Sequence, residues 1–432
     1  LVLPPFFRNN SLLGCAGADM KIALLSYEYP QETGFGGIGT YTWYHARALS
    51  RLGHEVHVLA GATSATEMRR DDHDGVCVYR FRATPFWLKL LALDVQKLSW
   101  TRNRLENAFS MYRGLLRLIE KHQYDIVEMP ECGAEGLLIN HFLRLPTLVK
   151  FHSPAKLIMP FYNVRKADYR LCSKLEQIGL EAATAYTSCS RFLAEEVRAQ
   201  LGIKREIRIV PNGIDLELFD ASVQVNAREQ FEIPKGKPMI LFAGRIERRK
   251  GIDICIEIAA RILKRHDVAL VFAGHDLAGF MKQDLLPRLR ETKLWGSVHY
   301  LGKLDPMSVR SCLKQADIFL LPSMWENCPY SCLEAMAAGR AIISSDAGGL
   351  PELIHDNVNG LTAPSGDPEG FVACLDRLIE DPPLRERLGR QARISVEKFH
   401  SDTDIARRSL DYYTEVILQK SDNASRVTIK IM

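Results

Sequence analysis

The 432-residue sequence contains no apolar run approaching the ~18 residues that a bilayer-spanning helix requires, so no segment of it reads as transmembrane. It has no C-x-x-C pair. Its ten cysteines are scattered, and Cys328 and Cys332 stand four apart without the neighbouring His or Cys residues that would complete a zinc pattern. Unpaired thiols in a reducing, cytoplasmic setting are the expectation, with no metal ligands and no bound cofactor. A surplus of one charge sign is nearly missing as well. The net charge of +4 excludes a dedicated nucleic-acid binder, while leaving room for phosphorylated ligands or peripheral contact with an anionic inner-membrane face. A basic n-region is lacking ahead of Leu12-Leu13-Gly14-Cys15, and Arg8-Asn9-Asn10-Ser11 breaks the apolar stretch before it. This lipoprotein-like box is therefore read as part of an upstream extension, with folding expected to begin at Met20.

What is present is the composition of a globular protein, 47% hydrophobic and 25% charged, at a length that predicts two domains. Short apolar runs at 22–26, 55–59, 76–81, 126–129, 147–151, 185–189 and 207–210 alternate with helical stretches such as 41–52 and 106–121. The run at 147–151 is apolar almost throughout, as expected of a strand covered on both faces of a parallel sheet. A polar, Pro-bounded segment at 221–238 precedes a second series at 239–243, 269–273, 298–301, 318–322 and 341–344. Beyond Pro383 the pattern is helical to about 419, with a polar tail at 420–426. Strand–helix alternation in two blocks predicts two doubly wound α/β domains facing a cleft at the carboxyl ends of their strands. The boundaries expected are 20–215 for an acceptor-side domain, 216–400 for a nucleotide-side domain, and 401–419 for a helix packing back on the first. The stretch 86–100, with Lys89 and Lys97, could lie on a membrane surface, but packing on its own domain or along an acceptor groove is the preferred reading.

Three segments carry chemistry. Gly34-Phe35-Gly36-Gly37-Ile38-Gly39 follows the first strand and opens a helix expected to begin near Thr40. Glycines there let backbone approach a ligand, and a helix N-terminus favours phosphate. The spacing is not G-x-G-x-x-G and no acidic residue closes the second strand, which argues against a dinucleotide site; taken alone, the loop could equally be a structural turn. Next, Ala243-Gly244-Arg245-Ile246-Glu247-Arg248-Arg249-Lys250-Gly251 leaves the first strand of the second block. Arg245 and Lys250 would reach the cleft mouth and neutralise charge growing on a departing diphosphate, while Arg248 and Arg249 read as a solvated face. Last, the run from Pro322 to Gly339 carries Glu326 in a loop and Glu334 inside an otherwise apolar helix expected to begin near Ser331. A buried carboxylate without partners is costly, so Glu334 should accept hydrogen bonds, which a ribose diol could donate; helix-dipole pairing is the structural alternative for either Glu. Asp402-Thr403-Asp404 reads as a helix cap rather than a metal-binding Asp-x-Asp.

Arg245 and Lys250, the Glu326-x7-Glu334 spacing, Glu334-Ala335-Met336-Ala337 and Gly348-Gly349-x-Pro351-Glu352 together resemble the retaining glycosyltransferases of family 4, which have the GT-B fold. Gly36-Gly37, His152 at the end of the fifth strand and Pro211-Asn212-Gly213-Ile214-Asp215 at the domain junction extend the resemblance from about Met20 to Leu418. The resemblance implies transfer of a hexosyl group from a nucleoside diphosphate sugar, UDP or GDP, to an acceptor hydroxyl with retention, the acceptor being a small molecule, glycan or lipid-linked compound. It implies that Gly36 and Gly37 approach the donor diphosphate and sugar, that His152 faces the transferred sugar, and that Arg245 and Lys250 bind the diphosphate. It further implies that Glu326, with Asn327, Cys328, Pro329 and Tyr330 after it, contacts the sugar, and that Glu334 holds the ribose. Where the family often has Phe-Gly, this chain has Cys328-Pro329-Tyr330. Pro329 has no N–H, so one amide contact is lost or shifted. Ala341 stands where the family usually has Pro. A sugar-nucleotide epimerase and a non-catalytic sugar-nucleotide sensor are the alternatives, the first separable by whether labelled sugar leaves the nucleotide, the second by absence of turnover.

Overall fold

The computed structural model describes residues 19–34, 36–63, 68–81, 97–223, 225–276, 278–285, 287 and 295–429. The lipoprotein-like box, Phe35 of the glycine loop and most of the stretch 86–100 lie outside them.

Two sheets carry the fold. Strands β1 (Lys21–Ser26), β2 (Glu55–Gly61), β3 (Arg69–His73), β4 (Val76–Phe81), β5 (Ile126–Pro130), β6 (Thr147–Phe151), β7 (Ala185–Ser188) and β8 (Ile207–Ile209) form the first, in the order β3-β4-β2-β1-β5-β6-β7-β8. Strands β9 (Met239–Ala243), β10 (Ala269–Ala273), β11 (Val298–Gly302), β12 (Ile318–Leu321), β13 (Ala341–Ser345) and β14 (Leu361–Ala363) form the second, in the order β11-β10-β9-β12-β13-β14. All neighbours pair in parallel except β3 with β4. Strand order reverses beside β1 in one sheet and beside β9 in the other, the topological switch points at which doubly wound sheets bind ligands.

Two strands escaped the sequence pattern for physical reasons. β3, Arg69-Arg70-Asp71-Asp72-His73, is a polar edge strand whose side chains pair by charge, so it has no apolar alternation. β14 has only three residues. The first helix, Gly37–Arg51, starts three residues before the expected Thr40, and the second, Ser99–Ile119, starts seven before the expected 106. The polar segment 221–238 is not a bare linker. It contains the helix Ala227–Gln230, whose first amide donates to Ser311 Oγ at 3.0 Å. The residues read as a polar tail continue the terminal helix, Asp402–Ile429.

The chain passes between the two sheet units at 210–216 and again near 400. There the two strands of backbone lock together: Ile214 N–H donates to His400 O at 2.8 Å and Asp402 N–H to Ile214 O at 3.1 Å. Arg51 joins both crossings by pairing with Asp215 (2.8 Å) and Asp402. The Asp402-Thr403-Asp404 run thus opens the terminal helix, and Asp402 is committed to Arg51. That helix then lies on the first domain, its Ala406, Tyr412, Tyr413 and Val416 sharing a core with β1, β2 and the first helix. Among the described residues no helix is long and apolar enough to cross a membrane, and the nine described cysteines form no disulfide.

Candidate active site

The first-domain wall begins where β1 ends. The chain turns through Tyr27 and Glu28 and enters the first helix at Gly36, its N-cap, which has extended backbone and makes no side-chain cap bond. A Cβ on Gly36 would fall 1.9 Å from Glu28 Oε2, so a larger residue there would have to push that carboxylate aside, whereas Gly37 faces open space. Uncapped amides at a helix start leave partial positive charge directed outward.

His152 follows β6. Its backbone N–H donates to both oxygens of Glu131 (3.0 and 2.9 Å), which also takes the N–H of Ser153. Burial, with repulsion from Glu176, pushes the Glu131 carboxyl up to about 8 despite those amide bonds. The His152 ring sits 5.0 Å from Tyr41, and burial aided by the Lys150 charge holds its imidazole well below its ordinary range, hence neutral. Tyr41 in turn donates to Glu128 Oε1 at 2.6 Å, and Tyr413 of the terminal helix donates to Glu128 Oε2 at 2.6 Å. Lys150, a charge inside the supposedly apolar strand, is fully buried: its Nζ donates to Val210 O at 2.6 Å and lies 4.4 Å from the Tyr41 ring centre. Nothing in the one-dimensional pattern distinguishes Glu128, Glu131 or Lys150 as site supports. The one available signal was a charged residue inside each buried run.

The second-domain wall begins where β9 ends. Arg245 is about half exposed and looks across toward Glu28, whose carboxyl burial pushes up and the Arg245 charge pulls down. Lys250 is almost buried and binds Glu326 directly. Arg249 is not the solvated residue expected from its charge run. It is 5% exposed, donating to Trp325 O at 2.9 Å and Glu247 at 2.7 Å and standing 3.5 Å from Glu326. The reason is geometric: a 3-10 turn at Arg248–Lys250 turns the consecutive side chains of Arg249 and Lys250 inward, and Glu326 and Glu247 supply the counter-charges. Arg248 stays exposed. Burial pushes the Glu326 carboxyl up, but the charges of Lys250 and Arg249 and the bonds from Lys250 and Ser323 outweigh it and keep the group ionised. Gly348 and Gly349 press on the Glu326–Asn327 backbone, where a Cβ would lie 2.0 Å from Glu326 O and 2.1 Å from Asn327 O.

The residues after Glu326 bind the two domains together. Asn327 Nδ2 donates to the carbonyl of His152, Cys328 O accepts from Asn212 Nδ2 at 2.8 Å, and the Tyr330 ring stacks on Tyr44 at 5.5 Å. Cys328 and Tyr330 are buried, so any ligand contact there falls to backbone or to Asn327 Oδ1 and the Tyr330 hydroxyl, which have no hydrogen-bond partner among the described residues. Pro329 is the N-cap of the helix Tyr330–Ala337, one residue earlier than the expected start. Glu352, from the Gly-Gly-x-Pro-Glu run, caps the helix Arg191–Leu201 of the opposite domain through two amides at 2.9 and 2.8 Å. The Glu334 carboxylate makes no hydrogen bond among the described residues, and burial, only partly offset by Arg310, pushes it up to about 7.

A cavity of about 440 Å³ opens beside the glycine loop, lined by residues that include Tyr27, Glu28, Trp100, Arg104, Asn107 and Glu135. Among the described residues, one cluster could hold a metal ion: Glu55, His57 and His122. It lies at the amino end of β2, away from the carboxyl ends that form the cleft, and Lys21 pairs with Glu55 at 2.8 Å.

Comparison with known proteins adds independent findings. Residues 35–218 match the family model described as Glycosyltransferase Family 4, and residues 223–395 match Glycosyl transferases group 1. An uncharacterized glycosyltransferase of Methanocaldococcus jannaschii is 27% identical over 406 residues, covering 91% of this chain and 98% of its own. Sucrose-phosphate synthase from Thermosynechococcus elongatus superposes with a TM-score of 0.76 at 22% identity, covering 93% of this chain and all of the other. Anabaena HepE, solved with UDP and glucose, superposes at 0.70 and 19%, covering 92% and all respectively.

Proposed function

The chain belongs to the family 4 glycosyltransferases of the GT-B fold, and from that premise we propose that it transfers a hexosyl group from a UDP- or GDP-sugar to an acceptor hydroxyl, retaining the anomeric configuration and needing no divalent metal. The observation that carries the reading is the approach of one strand end bearing two cations, that of β9, to the start of the first helix. Arg245 acts on Glu28, beside which Gly36 lies, and Lys250 follows it from the same strand end, so a diphosphate held between that end and the Gly36–Gly37 turn would meet positive charge from both sides. Complexes of HepE with UDP support a nucleotide donor.

In this reading Glu334 accepts hydrogen bonds from the ribose diol, partners that its carboxylate lacks among the described residues. Lys250 has three N–H donors and commits one to Glu326, leaving two for phosphate oxygens. As the bond from the anomeric carbon to the β-phosphate oxygen breaks, its electron pair stays on that oxygen, where Lys250 and Arg245 stabilise it. The acceptor oxygen forms its bond to the anomeric carbon on the same face, and its proton passes to the departing phosphate oxygen. His152, held neutral and fixed by Glu131 and Tyr41, positions the sugar and forms no covalent bond to it. The nine described cysteines, all unpaired, suit a reducing compartment such as the cytoplasm.

The test is a panel of UDP-, GDP- and ADP-sugars read by thermal unfolding, since a bound donor raises the unfolding temperature by mass action. The best donor is then followed by NMR for the anomer of the product. No stabilisation by any nucleotide sugar, or an inverted product, would overturn the proposal.

A further inference from the structure

At the end of the first sheet opposite the cleft, three side chains from two elements make up a nitrogen-rich ligand set. Glu55 and His57 stand two apart on β2, so both project from the same face of the sheet. His122, on the connection between the helix Ser99–Ile119 and β5, meets them there. One ligand atom from each of the three lies within 4.8 Å of the others, and Glu55 Oε1 is 3.1 Å from His57 Nε2. Around a four-coordinate zinc ion with bonds of about 2.0–2.1 Å, donor atoms stand roughly 3.3 Å apart, so small side-chain rotations complete the geometry.

The surroundings hold the two imidazoles as outer partners hold the histidines of metal sites, by a hydrogen bond that fixes the ring. His57 Nδ1 is 2.7 Å from the Tyr124 hydroxyl, and the Tyr79 hydroxyl orients His122 at 3.3 Å. A tyrosine hydroxyl both donates and accepts, so Tyr124 holds His57 in either tautomer. With its proton on Nε2, His57 donates to Glu55. With the proton on Nδ1, the Nε2 lone pair is offered to a cation and no proton leaves the protein. Glu55 is about half exposed, which admits water as a fourth ligand. The competitor is Lys21, whose Nζ holds Glu55 Oε2 at 2.8 Å; that lysine is itself partly exposed and turns to water when a cation neutralises the carboxylate. Two imidazole nitrogens with one carboxylate suit a transition ion, whereas Mg²⁺ and Ca²⁺ take sets made of oxygen.

We propose that Glu55, His57 and His122 form a site for one divalent transition ion of zinc type, which ties the amino end of β2 to the connection before β5. The site is independent of the transferase reading. It lies at the amino ends of the parallel strands, while His152 and Arg245 follow the carboxyl ends of β6 and β9. Its ion is therefore structural, and sugar transfer proceeds without it.

The experiment is calorimetric titration of the full chain, stripped with EDTA and returned to chelator-free buffer at neutral pH, with Zn²⁺, Mg²⁺ and Ca²⁺. One Zn²⁺ per chain should bind, at least about 100-fold tighter than either of the others. Co²⁺ in its place should show the visible absorption of a four-coordinate ion. Glu55→Gln and His122→Ala should each weaken Zn²⁺ binding about tenfold or more. Lys21→Met should strengthen it severalfold, because the competing ammonium is gone. Cys77→Ser, which removes the thiol paired in register with His57 but outside the ligand set, should leave it unchanged. Zn²⁺ should raise the unfolding temperature of the wild type and not that of His122→Ala. Should that variant fail to fold, Glu55→Gln and Lys21→Met, at partly exposed positions, still decide. No Zn²⁺ uptake, uptake that Glu55→Gln and His122→Ala leave intact, or equal binding of Mg²⁺ overturns the proposal. Stabilisation by nucleotide sugars should be the same with and without Zn²⁺, so its absence counts against the transferase reading alone.

Discussion

Replacing Lys250 by Met separates the two things this lysine does. In the free protein its ammonium is the main counter-ion of Glu326, a carboxylate that is itself 6% exposed. Removing one member of a buried pair leaves an uncompensated charge and costs roughly 3–5 kcal/mol. Arg249 at 3.5 Å and Ser323 at 3.1 Å remain to Glu326, so the lower end applies, about 3 kcal/mol, or roughly a 6–12 °C drop in unfolding temperature for a domain of this size. The double variant Lys250→Met/Glu326→Gln removes both charges and should recover most of that loss, a coupling of about 1–3 kcal/mol in a double-mutant cycle. Catalysis should not follow stability. Without the ammonium at the leaving diphosphate, kcat should fall about 10²–10³-fold in the single variant. It should stay down in the double, because Gln at 326 restores no positive charge. Thermal unfolding and steady-state kinetics on the four proteins provide the assay. A kcat that recovers along with stability would mean Lys250 only holds Glu326 in place, and the phosphate-clamp reasoning would be wrong.

Glu334→Gln should raise the donor KM more than it lowers kcat, since the ribose contact is made in ground and transition states alike; a collapse in kcat at constant KM refutes it. Because burial lifts the folded-state carboxyl from 4.5 to about 7, Glu334 costs stability that is absent below pH 4.5 and fully felt above 7, so wild-type stability should decline across that window more than the variant's. A diol that binds the ionised form makes donor affinity rise with pH up to about 7, by at most about tenfold per unit, and a flat profile contradicts the assignment. Arg245→Ala should also depress kcat, and combined with Lys250→Met the loss should fall well short of additive; near-normal kcat in both single variants would remove the clamp altogether. Turnover should survive excess EDTA, because Arg245, Lys250 and a helix start supply the positive charge; loss of activity restored by Mg²⁺ or Mn²⁺ would assign a metal-binding role to carboxylates of the cleft such as Glu28. Tyr413→Phe should destabilise the protein by about 1–2 kcal/mol by leaving Glu128 one donor short, measured by denaturant unfolding; no change would mean the terminal helix is held by apolar packing alone.

The architecture was legible along the chain, because parallel strands buried on both faces, such as Thr147–Phe151 and Ala269–Ala273, must be written as short apolar runs. The positions of Arg245, Lys250, Glu326 and Glu334 were legible too, since each stands at a fixed distance from a strand end or helix start. The one-dimensional pattern could not display β3, whose pairing is by charge at a sheet edge, nor the inward turn of Arg249, which depends on buried carboxylates from elsewhere in the fold. Which group partners each buried or half-buried carboxylate was settled only by the folded chain. Glu131 under His152, Arg51 between Asp215 and Asp402, Glu352 on the opposite helix and Tyr413 on Glu128 are pairs separated by 21 to 351 positions. Local periodicity reports only which face of an element is apolar. The partner of a buried charge is chosen by the meeting of faces across a cleft, and that information exists only once the chain has closed on itself.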